Sequence, residues 1–226
     1  MTPGPSREAP ADSPAPTPIP ISKARNRRTE ILDAALEIFV RHGYLGTTME
    51  AIGEAVGMRA PSLYKHVRSK QELLVELMSR SITEVHAALD AATGSTSAPV
   101  LRLRRAMEAH VRYHAEHCLD ALLGANELSN LEPGPFLERI LAERDRYEAA
   151  FVEVVECGVA AGVFTVEHPK TTARALLDMG SGVSVWFRRD GELSVDALVY
   201  HYSDLAVRLV GADDAGAGST NPGRIT

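Results

Sequence analysis

Cysteine is nearly absent: the chain has two, Cys118 and Cys157, far apart and in no metal-ligand spacing. That argues against a disulfide scaffold or a zinc site and suits reduced residues of a cytoplasmic protein, with a redox role left open. No run approaches the roughly 18 apolar residues that a membrane helix needs, and the N-terminus lacks the apolar core of a signal peptide. A soluble, cytoplasmic protein is therefore expected. Catalytic signatures are missing as well. Gly180-Ser181-Gly182 superficially approaches a nucleophile or phosphate motif, but it fits neither G-x-S-x-G nor a Walker sequence. No catalytic residue, cofactor or resident metal is expected, and the chain is read as a non-enzyme. Excess positive charge is lacking too: 24 basic against 30 acidic residues give a net charge of −6, unlike a protein that coats nucleic acid indiscriminately.

Charge is nevertheless unevenly distributed. Residues 23–90 carry 10 Lys plus Arg against 9 Asp plus Glu, whereas residues 91–226 carry 13 against 19. A relatively positive front and an acidic remainder orient a molecule on a polyanion. Residues 1–24 hold seven of the 13 prolines, which predicts a disordered, extended arm. The arm ends in the basic cluster Lys23-Ala24-Arg25-Asn26-Arg27-Arg28, which either reaches phosphates or the minor groove or serves as a solubilising tail.

What is present is helical periodicity throughout. Residues 29–42 place Ile31, Leu32, Ala35, Ile38 and Phe39 on one stripe, and Gly43 ends that helix. The chain is organised around residues 47–70, TTMEAIGEAVGMRAPSLYKHVRSK, which read as two short helices joined by a tight turn. Thr47 with Glu50 has capping-box spacing, Gly57 closes the first helix, and Pro61 falls in the first turn of the second. Leu63 and Val67 point inward, leaving Arg59, Ser62, Tyr64, Lys65 and His66 outside. Small hydrogen-bonding groups followed by cationic and aromatic ones suit a helix that enters the DNA major groove, with Tyr64, Lys65 and Lys70 reaching phosphates. A helical hairpin buried in an unrelated all-α domain is the alternative.

Leu63-Tyr64-Lys65-His66-Val67 followed by Ser69-Lys70-Gln71-Glu72-Leu73 is similar to the L-Y-x-H-F-x-S-K-E-x-L signature of TetR-family transcriptional regulators. The upstream Ala34, Ala35, Phe39 and Gly43, and the Thr47-Thr48…Ile52…Gly57 framework, fit the same pattern without a gap from about residue 29 to 77. Val67 departs from it, since an aromatic is usual there; the smaller residue alters packing beneath the recognition helix. The resemblance implies an all-α fold: an N-terminal helix-turn-helix three-helix domain plus a C-terminal helical ligand-binding and dimerisation domain. It divides the chain at 25–70 and 71–211, with a disordered tail at 212–226. The candidate DNA-contacting set is Arg28, Thr47, Thr48, Arg59, Ala60, Ser62, Leu63, Tyr64, Lys65, His66 and Lys70.

Ser69, with Glu72 three residues on, caps a long helix that runs to about residue 91. Further helices are expected at 100–118, 136–162, 171–188 and 194–210. In the first of these His110, His114 and His117 share a face, a spacing that permits a metal, the polar wall of a ligand cavity, or a solvent face. Asn126 and Glu127 sit among leucines, as either satisfied core groups or orienting contacts of a pocket. Gly180, Ser181, Gly182 and Ser184 inside an apolar helix imply close approach by another group.

In TetR-like proteins the last two helices pair with their copies, so a homodimer on a pseudo-palindromic DNA operator is implied, released by a small-molecule effector. Residues 183–194, VSVWFRRDGELS, resemble a stretch of TetR-like regulators of lipid and steroid catabolism, some of which respond to acyl-CoA thioesters. An acyl-CoA or another hydrophobic carboxylic metabolite is expected first, an aromatic drug-like compound second. The candidate lining is His110, Tyr113, His114, Asn126, Glu127, Tyr147, Met179 and Trp186. A helical metal-dependent enzyme and a dimerisation module that does not bind DNA are the alternatives from other classes.

Overall fold

Apolar stripes at helical spacing force helix-on-helix packing, and the computed structural model is built that way. It describes residues 21–94 and 96–212, with side chains from 27 onward. The proline-rich arm up to residue 20 and the tail from 213 lie outside the described residues, which hold ten α-helices, one short 3-10 turn and no strand.

Helix α1 (Ile21–Gly46) starts earlier than the expected residue 29, because no proline interrupts the chain after Pro20. Its path breaks at Gly43, where φ is 75° and ψ 156°, a backbone state open to glycine. The break changes the next cap. Thr47 is buried and its hydroxyl donates to the freed Gly43 carbonyl at 2.8 Å. Thr48, not Thr47, caps α2 (Met49–Ala55), accepting the Ala51 N–H at 3.1 Å. The N-cap thus lies one residue later than expected, and the Thr47–Glu50 capping box does not form, since position 51 is alanine. Gly57 (φ 65°) closes α2, and α3 (Ala60–Leu63) follows with Pro61 in its first turn. Leu63 and Val67 are buried as expected.

Ser69 accepts the Glu72 N–H at 3.1 Å and so caps α4 (Lys70–Thr93). At 24 residues this helix is about 36 Å long. The body follows: α5 (Pro99–Glu116), α6 (Cys118–Asn126), α7 (Pro135–Ala160), α8 (Pro169–Ser181), α9 (Val183–Trp186) and α10 (Val195–Leu209). The single helix expected over 171–188 is divided at Gly182 into α8 and α9, where Ser184 donates to the Ser181 carbonyl at 2.8 Å. Hydroxyl groups that bond the local backbone compete with helix continuation.

Two apolar cores result. One joins Ile31, Ala35 and Phe39 of α1 to Ile52, Leu63 and the first half of α4, and reaches Leu123 of α6 and Ile140 of α7. The other surrounds α5, whose Leu103, Met107 and Val111 meet Phe151, Val155, Leu176 and Leu198. Ile82 of α4 packs against both. Gly158 of α7 is needed for closeness, since a Cβ there would lie 2.0 Å from the ring of buried Phe164.

Gly158→Ala should destabilise the protein by roughly 1–3 kcal/mol through overpacking. Gly124→Ala, whose Cβ would meet nothing within 4 Å, should be neutral or stabilising by up to about 1 kcal/mol. Urea unfolding of the two variants checks the contrast.

Candidate functional site

The reading head is held by half-buried charge. Arg28 donates to the carboxylates of Glu72 (2.8 Å) and Glu76 on α4, and to the His66 carbonyl. Hydrogen bonds to Glu76 and Glu72 raise its pKa, and the same contact with Arg28 lowers that of Glu72. Arg28 therefore clamps α1 to α4 and supports the segment after α3, so it is not a free cation for DNA. Lys70 is likewise engaged: its ammonium donates to the Tyr44 and Thr47 carbonyls at 2.6 and 2.8 Å and lies 4.3 Å from the Tyr44 ring centroid. It fixes the turn between α1 and α2. The side chains of Thr47 and Leu63 are buried and face the core. Of the candidate contacts, Thr48, Arg59, Tyr64 and Lys65 are exposed, and Ala60, Ser62 and His66 are half-buried. These seven leave a polar and cationic surface over α2, α3 and the turn that follows.

In the body, α4, α5, α6, α7 and α8 enclose a cavity of about 490 Å³. Four of the expected lining residues meet there: His110 and His114 from one face of α5, Tyr113 beside them, and Tyr147 from α7. The other four lie elsewhere. Asn126 is exposed, and Trp186 is 50 % exposed on α9. Glu127 turns toward the head, accepting from Asn130 at 2.6 Å and lying 3.8 Å from the position of a Cβ on Gly43. Met179 packs against the apolar core of the body. Periodicity places a residue on a face; the neighbouring helix decides whether that face meets a void.

Polar lining residues that the pattern did not single out include Ser81, Asp120, Arg144 and Arg174. The small residues of α8 carried a signal, because a Cβ on Gly180 would lie 2.3 Å from the His110 ring. The close approach inferred from them is that of His110, and Ser181 and Ser184 also face the cavity.

His110 is buried, with Nδ1 3.1 Å from the Tyr147 hydroxyl and Nε2 3.0 Å from the Leu177 carbonyl. A carbonyl only accepts, so Nε2 carries the proton and Nδ1 accepts from Tyr147. Burial, only partly opposed by the Leu177 hydrogen bond, pushes the pKa of His110 down to about 4. Burial and then the neighbouring His110 push His114 down to about 2, while burial raises Tyr113 to about 12. The wall is thus neutral at physiological pH. His117 instead stacks on Tyr113 at 4.8 Å, exposed at the end of α5. With both His110 nitrogens bonded, the three histidines do not converge as ligands. Among the described residues no group of three or more His, Cys, Asp or Glu is placed to hold a metal.

Below the cavity, Asp120 of α6 is buried and pairs with Arg80 of α4 at 2.9 Å. Arg80 also lies 3.6 Å from Asp33 of α1. One guanidinium thus touches a cavity carboxylate and the reading head. Among the described residues no helix is long and apolar enough to cross a membrane.

The chain is similar to known proteins in sequence and fold. Residues 31–77 match the family described as bacterial regulatory proteins, tetR family, and residues 96–210 match a tetracyclin repressor-like C-terminal domain. The HTH-type transcriptional repressor KstR2 of Mycobacterium tuberculosis is 26% identical over 195 residues, covering 86% of this chain and 96% of the relative. The structure of that ketosteroid transcriptional regulator aligns with a TM-score of 0.76 over 82% of this chain and 94% of its own, at 26% identity. A tetR-family regulatory protein from Rhodococcus RHA1 aligns at 30% identity with a TM-score of 0.76, covering 83% of this chain and 98% of its own.

The neutral histidines make stability pH-dependent. Their folded pKa values lie below the unfolded value of 6.5, so the stabilisation is complete above 6.5 and is lost as pH falls toward 4. The unfolded chain binds more protons in that window, and each histidine should contribute a slope of roughly 1 kcal/mol per pH unit. Denaturant unfolding between pH 7 and 4 should show this loss, with a shallower slope in His114→Leu.

Proposed function

The chain belongs to the TetR family of bacterial regulatory proteins, and from that premise we propose that it is a ligand-responsive repressor. In this reading it binds a pseudo-palindromic operator as a homodimer and releases it when a small hydrophobic effector fills the cavity. The observation that carries the proposal is Arg80, which pairs with Asp120 at the cavity and Asp33 in the head. An effector that displaces α6 moves Asp120, and the strain reaches α1 through one side chain. A coupling free energy of about 1–3 kcal/mol would change operator affinity usefully.

DNA reading falls to the exposed set. Ser62, half-buried at the start of the recognition segment, is assigned to base edges; Arg59, Tyr64 and Lys65, all exposed, are assigned to phosphates. Arg28 and Lys70 are assigned to holding the head together. The dimer is supported by apolar side chains left uncovered near α9 and α10: Val185 (64 %), Trp186 and Tyr200 (50 % each) and Leu209 (45 %). An exposed apolar patch marks an interaction surface. A second recognition helix one helical turn away then matches a palindromic site. For the effector, the resemblance of residues 183–194 favours an acyl-CoA or related hydrophobic metabolite.

Selection of sites from fragmented genomic DNA with the purified protein, followed by footprinting, should give a palindromic footprint; no enrichment would sink the regulator reading. On the selected site, Lys65→Ala should weaken binding to every sequence and reduce the salt slope by about 1, whereas Ser62→Ala should change sequence preference. Trp186→Arg should shift the sedimentation coefficient to that of a monomer, and an unchanged dimer would remove this face from the interface.

A further inference from the structure

We propose that the inner end of the cavity seats an uncharged hydrogen-bonding group of the effector on His114 and rejects a free carboxylate. The group is the carbonyl of a ketone, ester or thioester, or a hydroxyl. This rests on the effector-responsive reading above and narrows its chemistry.

The hydrogen-bond chain beside the site is complete without a ligand. Tyr147 donates to His110 Nδ1, and His110 Nε2 donates to the Leu177 carbonyl. His114 is different: its Nδ1 is buried and has no hydrogen-bond partner, and its ring stands edge-on to His110 with centroids 4.5 Å apart. A buried polar atom without a partner is costly in a folded protein, and a ligand that supplies the partner recovers that cost on binding. Ile82, Val85 and Leu177 give the same cavity apolar walls, and about 490 Å³ suits a compact hydrophobic skeleton.

Both cations of the lining belong to solvent-exposed residues. The two cationic residues in the lining are Arg144 and Arg174. Arg144 donates to the Gly124 carbonyl at 3.2 Å, and Arg174 is paired with Glu148 at 2.7 Å. Asp120, Asp145, Glu148 and Asp178 also line the cavity, so its carboxylates outnumber its guanidinium groups. An acid entering deeply would be desolvated beside neutral imidazoles with like charges nearby. An uncharged carbonyl or hydroxyl incurs neither penalty.

Calorimetric titration of the full chain tests this with four probes: androst-4-ene-3,17-dione, isovaleryl-CoA, isovalerate and coenzyme A. At least one of the first two should bind with a micromolar dissociation constant, and isovalerate at least about a hundredfold more weakly than the better carbonyl probe. His114→Leu should weaken that probe by roughly tenfold or more while the far-UV circular dichroism spectrum stays that of the parent, which reports an intact fold. Binding should also shift the His114 side-chain nitrogen resonances. Binding of the diketone alone identifies a free neutral lipid; binding of the thioester but not coenzyme A identifies an acyl group whose nucleotide stays at the mouth. Tight isovalerate binding, an unchanged affinity in His114→Leu, or failure of both carbonyl probes overturns the inference. A chain that selects no DNA sequence overturns the regulator reading instead.

Discussion

Helix α4 belongs to two hydrophobic cores at once, and the relation between head and body depends on that sharing. Leu73, Leu74 and Leu77 are buried with α1, α2 and α3, while Val85 and Leu89 are buried with α5 and its neighbours. Fully burying such a side chain is worth roughly 1.5–3 kcal/mol, so neither end detaches cheaply. A helix held this firmly at both ends moves as a rod. In the proposed response, a small displacement where α4 lines the cavity, at Ser81, Ile82 and Val85, would become a displacement of the surface over α2 and α3. Arg80 occupies the crossover and adds a polar link between α6, α4 and α1.

Electrostatics separates two kinds of basic residue that look alike in the sequence. Arg28 and Lys70 are fastened to carboxylates, carbonyls and an aromatic face, and they shape the head. Arg59 and Lys65 are exposed to solvent. The cavity divides similarly, with neutral imidazoles and phenols inside and ion pairs around them. Burial keeps the inner wall uncharged, and a neutral wall recognises through hydrogen bonds and shape rather than through charge.

The helix-turn-helix was legible because its signals are local. Gly43, Gly57, Pro61 and Ser69 each act on a single turn of backbone, and the buried Leu63 and Val67 follow from their spacing. The Thr47 cap was misplaced by one residue because it depends on where α1 breaks, a matter of backbone dihedrals at Gly43. The cavity was half legible. His110, His114 and Tyr147 stood out as polar or amphipathic groups on inward faces, and Gly180 as a residue too small for its setting. Glu127 and Trp186 stood out equally, yet one packs under the head and the other remains on the surface.

The sequence by itself determined the all-α architecture, the reading head and membership of the TetR family, since periodicity, capping residues and a gapless motif all act over a few residues. Tertiary structure alone decided which cations are free, which faces enclose a void, and that one histidine in that void lacks a partner. Those properties arise between residues 20 to 67 positions apart, such as Arg144 with Gly124, Arg80 with Asp120 and His110 with Leu177. Their distances are set by how whole helices pack, and a pattern along one helix does not contain that information.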